Sequence, residues 1–117
     1  MALAAQDQRP DDDLLWGLRA AVMTIIVNPS NHDLTLRQLG ALVMARLERT
    51  PTVTYLANRL GVSQPTITRT LDTLEDLGLG RRVRRRPNRR RVLFEPTPEG
   101  HAFLDRLAAS WRDELNE

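Results

Sequence analysis

A three-residue turn between two short predicted helices limits the folds open to this sequence more than any other feature. Gly61 suits the left-handed position that ends a helix, and Ser63 suits the N-cap of the helix that follows. Pro65 is tolerated in a first turn because the amide it lacks would be unpaired there. Val62 can place its apolar side chain in the angle between the helices. The pattern over residues 53–77 therefore predicts a helix-turn-helix.

The second of these helices has one apolar side and one polar side. Ile67, Leu71 and Leu74 fall within a narrow arc, so we expect them in the core. The polar side is richest near the N-terminus, the part of such a helix that reaches base edges in the major groove of DNA. We expect DNA contacts here from Ser63, Gln64, Pro65, Thr66, Thr68 and Arg69.

An arginine run follows the helix-turn-helix. Eight arginines occupy eleven positions from Arg81 to Arg91, and no acidic residue occurs between Asp76 and Glu95. All 17 basic residues of the chain are arginine, and the formal net charge is +2. Solvated charge runs usually mix signs, and eight uncompensated arginines would repel one another unless an anion were expected. The run therefore indicates a nucleic-acid partner.

The same segment has the pattern of a β-hairpin. Leu79–Val83 and Val92–Glu95 are predicted as strands, with Pro87-Asn88 as the turn signal. Arginines at a hairpin tip can enter the minor groove while their neighbours neutralise phosphates. We call residues 79–96 the wing. Its expected DNA contacts are Arg84, Arg85, Arg86, Asn88, Arg89 and Arg90. Of these, Arg89 and Arg90 are the strongest candidates because they directly follow the turn. For Arg81, Arg82 and Arg91 the sequence leaves open whether the side chain faces a phosphate or solvent.

Helix-start signals place three further helices. Acidic residues 11–13 precede an apolar helix from Leu14 to Val27, and its apolar character on nearly all sides suggests that a partner subunit covers it. Thr35 and Gln38 have the spacing of a capping box. The last helix begins after Thr97-Pro98-Glu99. The expected fold is mainly α with a small β-hairpin, a winged helix-turn-helix over residues 11–117.

Several classes of protein are disfavoured by composition. The chain has no cysteine, and His32 and His101 belong to no ligand-spaced cluster, so we assign no metal or cofactor. No serine, histidine and carboxylate arrangement suggests an enzyme. Residues 1–10 lack a secretory signal and are expected to be a mobile arm, and the apolar helix is too short to cross a bilayer. A cytoplasmic protein without a membrane partner is the expectation.

The sequence resembles the MarR family of bacterial transcription regulators. The resemblance covers about two thirds of the chain and is carried by Leu34-Thr35, Gln38, residues 56–63, Thr68-Arg69, residues 74–79 and residues 97–100. It implies a homodimer that binds a palindromic operator, usually as a repressor, with the wing in the minor groove. We expect helices 11–28 and 98–117 to form the dimer through Leu15, Leu18, Val22, Ile25, Phe103, Leu107 and Trp111.

The sequence departs from the family pattern at three places. Asn88 stands where the family wing commonly has an aspartate, which removes a possible anchor for an arginine. Pro96 replaces an aliphatic residue, so the last strand is expected to end early. One C-terminal helix up to Glu117 stands where a longer pair is common, so a reduced or differently built dimer interface is expected.

Two questions stay open from sequence alone. A winged helix could also dock an acidic protein through its arginines, because carboxylates and phosphates both suit arginine forks. The outward Gln64, Thr66 and Arg69 favour DNA over this alternative. The resemblance also implies a small-molecule effector, for which Trp16, Met44 and Trp111 are candidate pocket residues, although such residues usually belong to a core.

Overall fold

The computed structural model describes residues 9–27 and 33–116. The elements are α1 (Asp12–Val27), α2 (Leu36–Leu47), α3 (Val53–Leu60), α4 (Gln64–Asp76), β1 (Gly80–Val83), β2 (Leu93–Pro96) and α5 (Pro98–Leu115). Most of the expected N-terminal arm, the Asn28-Pro29 helix end, His32 and Glu117 lie outside the described residues. The chain divides into two compact units, one of Met1–Asn31 with Asp105–Glu117 and one of His32–Leu104. The expected mainly α fold with a β-hairpin wing is confirmed.

The helix boundaries follow from the local capping chemistry. Thr35 Oγ1 accepts from the Gln38 amide at 3.1 Å, and Gln38 Oε1 accepts from the Thr35 amide at 2.9 Å, which completes the predicted capping box. Gly61 ends α3 with a φ of 67°, and Ser63 caps α4. Thr97 Oγ1 accepts from the Gly100 amide at 3.0 Å at the start of α5. These predicted helix boundaries are confirmed.

The core of the His32–Leu104 unit lies where α2, α3, α4 and β2 meet. Its largest fully buried side chains are Leu42, Leu56, Ile67, Leu71, Leu74, Phe94 and Phe103. The helical spacing of Leu36, Leu39, Leu42, Val43 and Leu47 predicts one core-facing stripe on α2. This prediction is wrong at both ends, because Leu36 and Leu47 are 87% and 73% exposed. The α2 face that packs is instead centred on Ala41, Leu42 and Ala45. Leu42 is flanked on this face by two alanines, whose small side chains suit a close contact between neighbouring elements.

The wing is an antiparallel pair in which Gly80 is opposite Pro96 and Val83 is opposite Leu93. The expectation that Pro96 ends the strand early is wrong. The Thr97 amide donates to Leu79 O at 3.0 Å, which makes Gly80 and Pro96 a non-hydrogen-bonded pair of the ladder. The Pro96 nitrogen therefore points away from β1. Proline is tolerated there because no ladder hydrogen bond is lost.

The other edge of β2 connects the wing to the start of α3. The Phe94 amide donates to Pro51 O and the Val53 amide donates to Val92 O, both at 2.9 Å. Thr52 and Leu93 form an isolated bridge between these two bonds. Strand β2 is therefore hydrogen-bonded on one edge to β1 and on the other edge to the segment that begins α3.

The unit of Met1–Asn31 with Asp105–Glu117 pairs α1 with the C-terminal part of α5. A Cβ on Gly17 would lie 2.2 Å from Trp111 Cδ1, so the indole occupies the space above this glycine. Thr24 Oγ1 and Ser110 Oγ are 2.7 Å apart. The apolar side chains of α1 that stay exposed, by 38% to 64%, are Leu14, Leu15, Leu18, Val22, Met23, Ile26 and Val27.

The residues expected at a dimer interface do not all share this exposure. Ile25, Leu107 and Trp111 are half-buried. Phe103 is only 1% exposed, and it lies in the core of the His32–Leu104 unit. A side chain that its own chain already buries cannot contact a partner, so we reassign Phe103 to the core. Within residues 9–27 and 33–116, no helix combines the length and hydropathy needed to cross a membrane.

Candidate nucleic-acid interface

An open groove of about 920 Å³ lies between the N-terminal half of α4 and the wing. Helix α4 contributes Gln64 and Thr68 to its wall, and the wing contributes most of the remaining lining. The residues that line the groove are Thr52, Val53, Thr54, Gln64, Thr68, Arg82, Val83, Arg84, Arg89, Arg90, Arg91 and Val92. Threonine, glutamine and arginine side chains predominate, so the groove is polar and positively charged.

The residues predicted to contact DNA from α4 differ in their exposure and in their hydrogen bonds. Gln64, Pro65, Thr68 and Arg69 are exposed, and of these Gln64 and Thr68 line the groove. The Ser63 hydroxyl accepts from the Thr66 amide at 3.4 Å and donates to Thr66 Oγ1 at 3.1 Å. Both hydroxyls are therefore engaged in the N-cap, and Thr66 is half-buried. The exposed pair in the groove is the better placed to meet a base.

Arg81 and Arg85 are both bound to one acidic residue at the base of the wing. Arg81 Nε donates to Glu95 Oε1 at 2.9 Å, and Arg85 Nη2 donates to Glu95 Oε2. The expectation of eight uncompensated arginines is therefore wrong, because Glu95, which lies opposite Arg81 on β2, pairs with two of them. Burial by itself raises the pKa of Glu95, but the hydrogen bonds and charges of Arg81 and Arg85 outweigh it, so the pKa lies below its usual value of 4.5.

This lowered pKa predicts a pH-dependent contribution of Glu95 to stability. A carboxyl whose pKa is lower in the folded chain stabilises the fold above its unfolded pKa, and the contribution is lost as the pH falls through the folded pKa. We expect Glu95→Gln to be less stable than the parent at neutral pH and to converge with it in acid, below about pH 4.5. Urea denaturation between about pH 7 and pH 3 measures this. A difference that stays constant over that range would contradict it.

Arg82 connects β1 to helix α4. Its backbone amide and Nε donate to the two carboxylate oxygens of Glu75, at 2.8 and 3.0 Å, and its Nη2 donates to Asp72 and Glu75. The hydrogen bond to Glu75 is the main reason that the pKa of Arg82 is raised. Because the guanidinium is held by two carboxylates, Arg82 ties the wing to the helix beside it and is not a free phosphate ligand.

The tip of the wing is organised by its own backbone. Asn88 Oδ1 accepts from the Arg90 amide at 3.0 Å, and Asn88 O accepts from the Arg91 amide at 3.4 Å. Arg84 Nη1 donates to the carbonyl oxygens of Arg89 and Arg90 at 2.9 and 3.4 Å. Asn88, at the position where the family wing commonly has an aspartate, thus holds the turn by accepting from main-chain amides.

Besides Arg84, whose guanidinium donates to two carbonyl oxygens, four wing arginines form no ion pair with any carboxylate in the described part of the chain: Arg86, Arg89, Arg90 and Arg91. All four are exposed. Arg89, Arg90 and Arg91 line the groove, while Arg86 lines a second concavity of about 690 Å³ on the tip with Pro87 and Asn88. The structure therefore singles out a smaller set of available cations than the sequence suggested, and it adds Arg91 to that set.

Sequence reasoning missed the contribution of α3. Thr52, Val53 and Thr54 line the groove because β2 holds the start of α3 next to the wing. The pattern over residues 53–77 predicts where the helix-turn-helix begins, but nothing local to that start indicates which surface it faces. No group of three or more histidines or acidic residues within residues 9–27 and 33–116 could hold a metal ion. Trp16, Met44 and Trp111 are each half-buried, and an effector pocket stays a prediction.

The residues that line the groove all lie in the part of the chain that matches a known family model. The family model described as MarR family matches residues 34–92, half of the chain. No curated protein sequence matches the chain. Among solved structures, BldR from Sulfolobus solfataricus, a transcriptional regulator, is 31% identical with a TM-score of 0.61, and 93% of this chain and 83% of that chain are covered.

Two other similar structures extend the comparison. RV1404 from Mycobacterium tuberculosis is 20% identical with a TM-score of 0.71, over 88% of this chain and 66% of that chain. A mutant MarR from E. coli complexed with operator DNA is 22% identical with a TM-score of 0.65, over 91% of this chain and 70% of that chain. This chain therefore spans just under two thirds of the length of RV1404. At these identities the two structures establish a shared fold.

Proposed function

This chain belongs to the MarR family, and on that premise we propose that it is a transcription regulator that binds double-stranded DNA as a homodimer. The observation that carries the proposal is the groove, in which the exposed Gln64 and Thr68 of α4 face the unpaired arginines of the wing. A helix that reads base edges and a hairpin that contacts the backbone or minor groove need this arrangement. The mutant MarR of E. coli is complexed with operator DNA in the similar structure.

In the proposed complex, affinity and specificity come from different elements of the protein. Gln64 is suited to paired hydrogen bonds with adenine, and Thr68 offers both a hydroxyl and a methyl group to base edges. Arg69 is exposed on the same helix, where it can bind guanine or a phosphate. The wing arginines neutralise phosphates and enter the minor groove, contacts that carry little sequence information. Specificity is therefore assigned mainly to α4, and affinity mainly to the wing.

The exposed apolar side of α1 supports a homodimer. Leu15, Leu18 and Val22 are 59%, 42% and 38% exposed, and such a cluster on one helix is costly in water unless a partner covers it. We assign the interface to these residues with Ile25, Leu107 and Trp111. A two-fold dimer presents two α4 helices to two half-sites, so the operator is palindromic. The family resemblance supports a repressor, which would exclude polymerase where its operator overlaps a promoter.

The proposal is tested by selecting bound sequences from a random duplex pool. We expect a palindromic motif whose half-sites are separated by about one helical turn, 10 base pairs. On the selected duplex, Gln64→Ala should bind matched and mismatched half-sites with nearly equal affinity, a loss of discrimination of about 1–3 kcal/mol at one base pair. Arg112→Ala, an exposed arginine of α5 outside the groove, is the control and should discriminate like the parent.

Two outcomes would contradict parts of this proposal. An asymmetric motif would rule out the symmetric dimer, and unchanged discrimination in Gln64→Ala would remove the assignment of specificity to α4. No binding to any duplex at about 50 mM salt would leave an acidic protein as the partner of the arginine face.

A further inference from the structure

The loop at the tip of the wing has no β-ladder to hold it. Residues 84–92 lie between the two strands, and six of these nine residues are arginines, at positions 84, 85, 86, 89, 90 and 91. Of these six, Arg85 pairs with a described carboxylate, that of Glu95. Like charges at this density push a loop open unless some of them contact negative partners. The conformation of the tip therefore needs an internal tie that does not come from strand pairing.

Arg84 supplies this tie. Its Nη1 is 2.9 Å from Arg89 O and 3.4 Å from Arg90 O, so one guanidinium nitrogen crosses the loop and contacts two successive carbonyls. Carbonyl oxygens carry partial negative charge, and a charged donor strengthens a hydrogen bond to them. The Arg90 amide, which shares a peptide group with the Arg89 carbonyl, donates to Asn88 Oδ1. The backbone that carries Arg89 and Arg90 is thus held from both sides.

We infer that Arg84 is a positioning residue of the wing, which fixes the backbone at Arg89 and Arg90 so that their side chains are presented to DNA before binding. The inference rests on the proposed function and changes the role that the sequence predicts for Arg84, from a phosphate ligand to an internal support. Because the backbone that carries these side chains is already ordered, DNA binding loses less conformational entropy.

The neighbouring Arg86 offers a matched control. It lies two positions away in the same exposed loop, carries the same charge, and forms no ion pair with a described carboxylate. Arg84→Ala and Arg86→Ala therefore remove the same charge from the same loop, but only the first removes the contact with the two carbonyls. Arg84→Lys keeps the charge and a donor of similar reach.

The first measurement uses the free protein and needs no DNA. We expect the amide order parameters of residues 88–91, from ¹⁵N relaxation, to fall from about 0.8 in the parent to below about 0.6 in Arg84→Ala. Arg86→Ala should match the parent, and Arg84→Lys should restore most of the lost order. Unchanged order parameters in Arg84→Ala would overturn the positioning role, and so would an equal loss in Arg86→Ala.

The second measurement is the salt dependence of binding to a short alternating A·T duplex. Loss of one phosphate contact reduces the slope of log affinity against log salt by about 0.9. We expect Arg86→Ala to reduce it by no more than about 0.9, and Arg84→Ala to reduce it further, because Arg89 and Arg90 lose their positions as well. Equal slopes in the two variants would contradict the inference. A parent that binds no duplex would instead overturn the proposed function and leave the relaxation result standing.

Discussion

Replacing Arg89 and Arg90 together with alanine is expected to weaken duplex binding by at least about 100-fold, because each charged hydrogen bond to a phosphate contributes about 1.5–3 kcal/mol. The slope of log affinity against log salt should become less steep by about 0.9 for each lost contact. Both side chains line the groove, and neither pairs with a carboxylate in the described chain. Fluorescence anisotropy with the selected operator, repeated over a series of salt concentrations, measures both quantities.

A variant of equal charge separates this effect from a general loss of positive charge. Arg37→Ala/Arg112→Ala also removes two exposed arginines, but from α2 and α5 and outside the groove. We expect it to keep most of the parent affinity and slope. Equal losses in the two double variants would mean that net charge, and not the wing, is responsible for binding.

The second large effect concerns the junction of the wing and α5. Gly100→Ala should destabilise the protein by about 3 kcal/mol or more, because the new Cβ would lie 1.9 Å from Leu79 O and 3.2 Å from Pro96 Cβ. The clash is with backbone, which cannot move aside as a flexible side chain can. The same junction is tied by Thr97, whose amide donates to Leu79 O and whose hydroxyl donates to Gly78 O. Urea denaturation followed by circular dichroism gives the free energy of unfolding.

Gly40→Ala is the matched control for this prediction. Gly40 also lies in a helix, but a Cβ there would be 3.6 Å from Leu60 Cδ2, an ordinary van der Waals contact. Alanine in a helix interior is favoured over glycine by about 0.5–1 kcal/mol, so this variant should be slightly more stable than the parent. If Gly100→Ala were as stable as Gly40→Ala, the close approach of α5 to Leu79 would be wrong.

The contrast between α4 and α2 shows where sequence reasoning succeeds. Ile67, Leu71 and Leu74 were predicted to be core and are fully buried, because a helix packed on one side follows its apolar periodicity. The same reasoning failed for Leu36 and Leu47, which are exposed at the two ends of α2. Periodicity identifies a possible apolar face, but the neighbours that pack against a helix decide which face is used.

The arginines of the wing depended on tertiary structure even more. Their number and density, and the hairpin that carries them, were apparent from the sequence. Their pairing was not, because Arg82 meets Asp72 and Glu75 only when β1 lies along α4, and Arg81 meets Glu95 only through the hairpin register. These contacts join residues 7 to 14 positions apart, beyond the reach of any helical spacing.

The amino-acid sequence by itself thus determined the helix ends, the turn at Gly61 and the presence of the wing. The helix ends and the turn depend on contacts within about four residues, where capping and backbone conformation follow directly from residue type. The wing was indicated by its turn residues and by the strand-forming segments on either side of them. Tertiary structure decided which arginines remain available, that Arg84 supports the loop, and that α3 joins the groove. Those outcomes depend on packing between distant segments, and the same guanidinium can bind a carboxylate, a carbonyl or a phosphate according to which one the fold places beside it.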